Sequence, residues 1–212
     1  MRASVPLKIG VLASGGGTNL QALIDRSEAG TLAARIVAVI SNNSEAGALE
    51  RARGHGIPAF HLSRATHPEP ERLDAAIRDT LRRHGADLVA LAGYMRPLGP
   101  LVLAAFPDSI INIHPALLPK FGGKGMYGIH VHEAVLRAGE KETGVTIHLV
   151  DAAYDQGPTI AQRKVTVGQN DTPEVLQQRV LTVEHALYAE VIQAIAEGRL
   201  VIRNGKPSTV LR

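Results

Sequence analysis

The chain reads as an α/β protein on a doubly wound, mostly parallel sheet, with an antiparallel strand pair toward the C-terminus. Three observations predict this. Short apolar runs alternate with longer amphipathic ones between residues 8 and 115, turn residues bound each of them, and a glycine-rich turn separates the first run from the first amphipathic stretch. The last two strand-like runs stand close enough in sequence to pair without a crossover.

The first pair is KIGVLAS and TNLQALIDRSEAG, the second RIVAVISNN and EAGALERARGHG, the third IPAFHL and PERLDAAIRDTLRRHG. DLVALAG, a short helical piece near 98–105, and SIINIHP continue the alternation. Strands covered by helices on both faces are apolar throughout, which is how these runs read. After the loop around GGKGMYG come a helix near 129–138 and two runs, GVTIHLVD and TIAQRKVTV, which make the sheet mixed. The last long element opens on DTPE, a capping Asp or Thr with proline in the first turn. It carries Leu176, Val180, Val183, Leu187, Val191 and Ile195, a stripe that predicts a core-packed helix. We expect one domain over 1–212, with its core at about 7–200 and a weakly held tail over 201–212.

A chain of 212 residues, 45% of them hydrophobic, can bury a sizeable core. Lys and Arg total 23 against 20 Asp and Glu, a mild excess that suits anionic small molecules. With 3% aromatic residues and no Arg/Lys block, a nucleic-acid stacking surface is not expected. The absence of cysteine excludes disulfides, thiolate metal sites and a Cys nucleophile, and fits a cytoplasmic protein. The longest apolar stretch is broken by Arg96, Pro97 and Pro100, so no membrane span is expected, and the N-terminus does not read as a signal peptide.

VLASGGGTNLQ follows the first strand and opens the first helix. Backbone amides of Gly15 to Asn19 there would face an anion, helped by the helix dipole. The dinucleotide fingerprint wants a third glycine where Leu20 stands and an acidic residue where SNN stands, and no P-loop lysine is present, so a monophosphate fits better than NAD or ATP.

In IINIHPALLP, Asn112 and His114 are two apart in a strand and project on one face at its carboxyl end, while Ile111 and Ile113 take the other. Ligands of open α/β sheets bind beyond such ends. An amide donor and a cationic imidazole aimed at one point would cradle an oxyanion. Holding the imidazole charged needs a nearby carboxylate, for which Asp151 and Asp155 are both candidates. A metal site built on His114, His130, His132 and His148 is disfavoured, because His130 and His132 diverge on a helix, and no metal is expected. Glu184 lies beside the buried stripe of the last helix, as either a substrate-amine contact or a solvated rim group.

SGGGTNLQ, LAGYMRPLGP, INIHPALLP, GVTIHLVDAAYDQGP and VEHALY, in this order from about residue 7 to 200, resemble the glycinamide ribonucleotide formyltransferases. The resemblance implies the Rossmann-like formyltransferase fold. It also implies formyl transfer from 10-formyltetrahydrofolate, as co-substrate, to the amine of glycinamide ribonucleotide in de novo purine (IMP) biosynthesis. Asn112, His114 and Asp155 correspond to the family's catalytic set, with Asn112 and His114 stabilising the oxyanion and Asp155 keeping His114 charged and assisting proton transfer. Gly17, Thr18, Asn19 and Glu184 fall on the ribonucleotide side. Met95, Arg96, Pro97 and Leu98, with Asn112, fall on the folate side. His148 matches a supporting histidine near the aspartate, and Asp151 becomes a neighbour. Partners are then small molecules, with no nucleic acid and no membrane, in a monomer or homodimer.

The sequence departs from the family in three places: Ala116 where many relatives carry serine, a longer loop at GGKGMYGIHVH, and no clean equivalent of a folate-side arginine. That arginine's place falls on Pro70, with Arg72 as the nearby substitute. The alternatives are a formyltetrahydrofolate deformylase, whose extra N-terminal domain and different first loop are not expected here, and a non-catalytic nucleotide- or folate-binding module. A methionyl-tRNA formyltransferase would add a basic C-terminal domain.

Overall fold

The computed structural model describes residues 5–152 and 155–208. Seven strands form one sheet in the order β3-β2-β1-β4-β5-β6-β7. The parallel strands are β1 (Leu7–Leu12), β2 (Ala34–Ser41), β3 (Ala59–His61), β4 (Leu88–Leu91) and β5 (Ile110–His114). β6 (Glu142–Leu149) runs antiparallel to β5, and β7 (Thr159–Thr166) antiparallel to β6, as expected for the late pair. The crossovers carry α1 (Thr18–Glu28), α2 (Gly47–Gly54), α3 (Pro70–Arg83) and α4 (Pro100–Ala105). α5 (Ile129–Arg137) and α6 (Pro173–Ala196) complete the helices.

Each strand's two-residue period divides its side chains between two apolar layers. Ile9 and Val11 of β1, Leu88 and Ala90 of β4, and Ile111 and Ile113 of β5 pack with α1 and α6. Leu12, Val89, Leu91 and Ile110 pack on the other face with Ile77 and Leu81 of α3 and Val102 of α4. Gly10 lets α3 approach, since a Cβ there would lie 2.3 Å from Leu81 Cδ2. Asn112 and His114 share the face of Ile110, opposite Ile111 and Ile113, as the spacing predicted. α6 is capped by Thr172, whose Oγ1 accepts from the Val175 N–H; Leu176, Val180, Leu187 and Val191 of its stripe are buried, and Val183 and Ile195 are partly so.

The expected tail from residue 201 contains local structure in its described part. Residues 202–207 form a hairpin of β8 (Ile202–Arg203) and β9 (Lys206–Pro207). Its turn is Asn204-Gly205, both at positive φ (51° and 72°), and the Gly205 N–H donates to Asp108 Oδ1 at 2.7 Å. Asn-Gly is the favoured pair for such a two-residue turn. No helix among the described residues is long and apolar enough to cross a membrane.

Candidate active site

The strand order reverses between β1 and β4, and a cavity of about 720 Å³ opens beyond the carboxyl ends of β1, β4 and β5 at that switch. The glycine loop walls one side. Gly17 precedes α1 at φ 74°, and a Cβ on it would lie 2.8 Å from Ala48 of α2, so both conformation and packing demand glycine. Nothing stands within 4 Å of a Cβ built on Gly15 or Gly16, which leaves their backbone bare toward the cavity. Ser14, which sequence reasoning passed over, ties the β1 end to its neighbours: its hydroxyl donates to Asn42 Oδ1 and accepts from the Met95 N–H at 2.8 Å.

Glu184 is no rim group. It is 5% exposed, lines the cavity, and its Oε2 accepts from Asn19 Nδ2 at 3.1 Å. Burial pushes its carboxyl up to about 7, with the Asn19 hydrogen bond opposing. Thr18 and Asn19 line the same wall.

At the end of β5 the three expected catalytic side chains converge. Asp155 Oδ2 lies 3.7 Å from His114 Nδ1, and Asp155 Oδ1 accepts from Asn112 Nδ2 at 3.4 Å. His148, opposite Asn112 on β6, donates from Nδ1 to the Leu149 carbonyl at 2.7 Å, and Asn112 Nδ2 lies 3.1 Å from its Nε2. That nitrogen is also 3.5 Å from Asp155 Oδ1, which gives His148 its supporting position. His114 is 3% exposed, and its Nε2 donates to the Phe121 carbonyl at 2.7 Å. The Gly123 N–H donates to Asp155 Oδ2 at 2.9 Å, so the loop after β5 is pinned on both groups. Asp151 lines only a smaller neighbouring cavity.

Burial raises the Asp155 carboxyl, but His148, His114 and the Gly123 N–H together bring it below its ordinary value. Burial lowers His114, and it outweighs the upward pull of Asp155 and of the Phe121 carbonyl. Burial therefore works against a permanently charged His114. The Asp155 charge is too weakly coupled at 3.7 Å to offset the desolvation of a nearly enclosed imidazole.

Met95 and Arg96 line the large cavity. Arg96, Pro97 and Leu98 border the small one, of about 70 Å³, which shares Asn112 and Asp155 with the large one as a common wall. Asp74 holds this segment by accepting from the Leu101 and Val102 N–H groups at 2.7 and 3.2 Å. Arg72 does not belong here. It sits in the first turn of α3, 75% exposed and paired with Glu69 one turn away, and lines neither cavity. His132, also passed over as a site residue, lies buried in the large cavity's wall with Nδ1 unpartnered and its imidazole lowered to about 4 by burial and then by His114. His130 turns outward to Glu133, and no group of three or more His, Asp or Glu among the described residues could hold a metal.

Comparison with known proteins places this geometry. The chain is 44% identical over 194 residues to the chloroplastic phosphoribosylglycinamide formyltransferase of Arabidopsis thaliana, covering 91% of this chain and 66% of that protein. It thus spans just under two thirds of the plant relative's length. The phosphoribosylglycinamide formyltransferase of Escherichia coli is 39% identical, with 92% of this chain and 89% of that protein covered. The crystal structure of glycinamide ribonucleotide transformylase 1 from Symbiobacterium toebii superposes with a TM-score of 0.89 at 44% identity, over 97% of this chain and 95% of that one. With residues 7–192 matching the formyl transferase family model, the chain belongs to the formyl transferase family.

Proposed function

We propose that the protein transfers the formyl group of 10-formyltetrahydrofolate to the amine of glycinamide ribonucleotide, a step of purine biosynthesis. The observation that carries this reading is the shared wall. Asn112 and Asp155 stand between a large cavity floored by a bare glycine loop and a small one bordered by Arg96, Pro97 and Leu98. The names of the relatives at 39% and 44% identity agree with it.

In this reading Gly17, Thr18 and Asn19 hold the ribonucleotide phosphate, and Glu184 meets the sugar or amine end. Met95, Arg96, Pro97, Leu98 and Asn112 bind the folate. The free amine attacks the formyl carbon, a C–N bond forms, and the carbonyl oxygen becomes an oxyanion stabilised by the amide of Asn112 and the imidazole of His114. His114 starts neutral, and negative charge developing beside it, together with Asp155, draws it toward the imidazolium. Asp155, directly or through water, moves the amine proton toward the folate nitrogen that leaves as the tetrahedral intermediate collapses. His148 holds Asn112 and Asp155 in register. Offering the His114 Nε2–H to the oxyanion requires the Phe121 carbonyl to give way. One chain supplies the whole set, and no metal enters the scheme.

The test mixes purified protein with 10-formyltetrahydrofolate and follows the absorbance change of deformylation, with and without glycinamide ribonucleotide, beside a His114→Ala control. Signal that needs both the acceptor and His114 is expected. Signal without acceptor would make the protein a deformylase, and folate binding without any signal would make it a binding module.

A further inference from the structure

The glycine loop presents no charge of its own. Gly15 to Asn19 offer amides and neutral side chains, whereas a phosphate monoester carries about −1.5 to −2 at neutral pH. A helix N-terminus supplies only about half a positive charge against it. Arg51 also touches the loop, but its Nε donates to the Gly16 carbonyl at 2.8 Å and its Nη1 to Gln21 at 3.0 Å, so it braces the loop from behind.

Among the described residues lining the large cavity, the lysine and arginine side chains are Lys124 and Arg96. Arg96 also borders the small cavity; Lys124 does not. Among the described residues no hydrogen bond or ion pair engages the Lys124 ammonium, although the segment around it is held on both sides. Before it, Gly123 is bonded to Asp155; after it, Tyr127 packs edge-on against His130 with ring centroids 5.6 Å apart. Gly123 and Gly125 flank it at φ 94° and 90°. In the same cavity wall, Asn19 and His132, at 9% and 2% exposure, each keep one polar atom without a partner, as a site completed by a polar ligand would.

We propose that Lys124 is a positioning residue that closes on the acceptor's phosphate and supplies the charge the glycine loop lacks. The inference rests on the reading that the acceptor is a phosphorylated amine bound at that loop. The carboxylates of a folate tail are the other conceivable target, since Met95 and Arg96 line the same large cavity, and the two substrates' KM values separate the cases.

The test reads binding apart from turnover. Ribose 5-phosphate is titrated by calorimetry into the wild-type protein, Lys124→Ala and Lys124→Arg. Loss of one charge-assisted contact should weaken binding by about 10- to 100-fold in Lys124→Ala, with most of it restored in Lys124→Arg. In turnover, KM for glycinamide ribonucleotide should rise by a similar factor while kcat and KM for 10-formyltetrahydrofolate stay within about twofold. Unchanged ribose 5-phosphate affinity, or a rise confined to the folate KM, overturns the proposal. If glycinamide ribonucleotide is not turned over but ribose 5-phosphate affinity still depends on Lys124, the reaction assignment falls and the Lys124 contact stands.

Discussion

The two rims of the cavity are built on opposite plans. On the glycine-loop rim the backbone is the site and packing holds it: Gly17 is pressed against Ala48, the Ala48 N–H donates to the Gly15 carbonyl at 3.1 Å, and Arg51 braces Gly16. On the opposite rim, the loop after β5 hangs on the groups that would do chemistry. His114 donates to the Phe121 carbonyl and Asp155 accepts from the Gly123 N–H. Phe121 itself is held at φ 56°, a left-handed conformation that costs a non-glycine residue about 1–2 kcal/mol. Under the proposed function, an anion cradle that keeps one charge state can be rigid, while a centre whose groups change charge during turnover would be wired to the loop that covers it, so alterations on that rim should reach catalysis before they reach stability.

The largest effect expected from this contrast is on turnover at the second rim. Asn112→Ala removes one oxyanion donor and should lower kcat by about 10²- to 10³-fold, or about 2.7–4 kcal/mol of barrier. Steady-state kinetics on the purified variant decide it, and wild-type turnover would remove Asn112 from the mechanism. Next comes a stability effect on the first rim. Glu184 is raised to about 7 from an ordinary 4.5, so the fold keeps a proton that the unfolded chain releases. Its contribution is complete below 4.5, declines as pH rises, and is gone above about 7, an effect on the order of 3 kcal/mol. Glu184→Gln removes this titration. Urea midpoints at pH 5 and pH 8 should therefore fall less with pH in the variant than in the wild type, and parallel pH profiles would contradict the buried neutral carboxyl.

What the sequence showed follows from how local each feature is. The doubly wound sheet was legible because alternating strands and amphipathic helices each carry their own period, and the glycine loop because its residues are contiguous. Asn112 and His114 were legible as a strand-end pair. Asp155 was separable from Asp151 only through the family resemblance, since both sit in one polar loop and nothing local says which turns toward His114. The burial that acts on His114 and Glu184 was not legible, because it is a property of the assembled fold: the Asn19 partner of Glu184 is 165 residues away. Arg72 was placed by counting along a helix whose first turn faces solvent. The Asn204-Gly205 hairpin, by contrast, had a local signal that was passed over.

The finest distinction between the rims lies in two glycines at similar φ, Gly17 at 74° and Gly123 at 94°. Alanine at either must adopt a disfavoured backbone, but only at Gly17 does the new Cβ also strike backbone, 2.8 Å from Ala48 Cα. Gly17→Ala should therefore cost about 1–3 kcal/mol and raise KM for the phosphorylated acceptor. At Gly123 nothing lies within 4 Å, so Gly123→Ala should cost only about 1–2 kcal/mol, the conformational part alone. Its sharper consequence should be kinetic, because shifting Gly123 loosens its N–H from Asp155 and lets the carboxylate drift from His114. Chemical denaturation and steady-state kinetics on both variants separate the two cases: stability and acceptor KM should move at Gly17, kcat at Gly123. If Gly123→Ala instead changes only the acceptor KM, the covering loop belongs to substrate capture and its bond to Asp155 does not govern the chemistry.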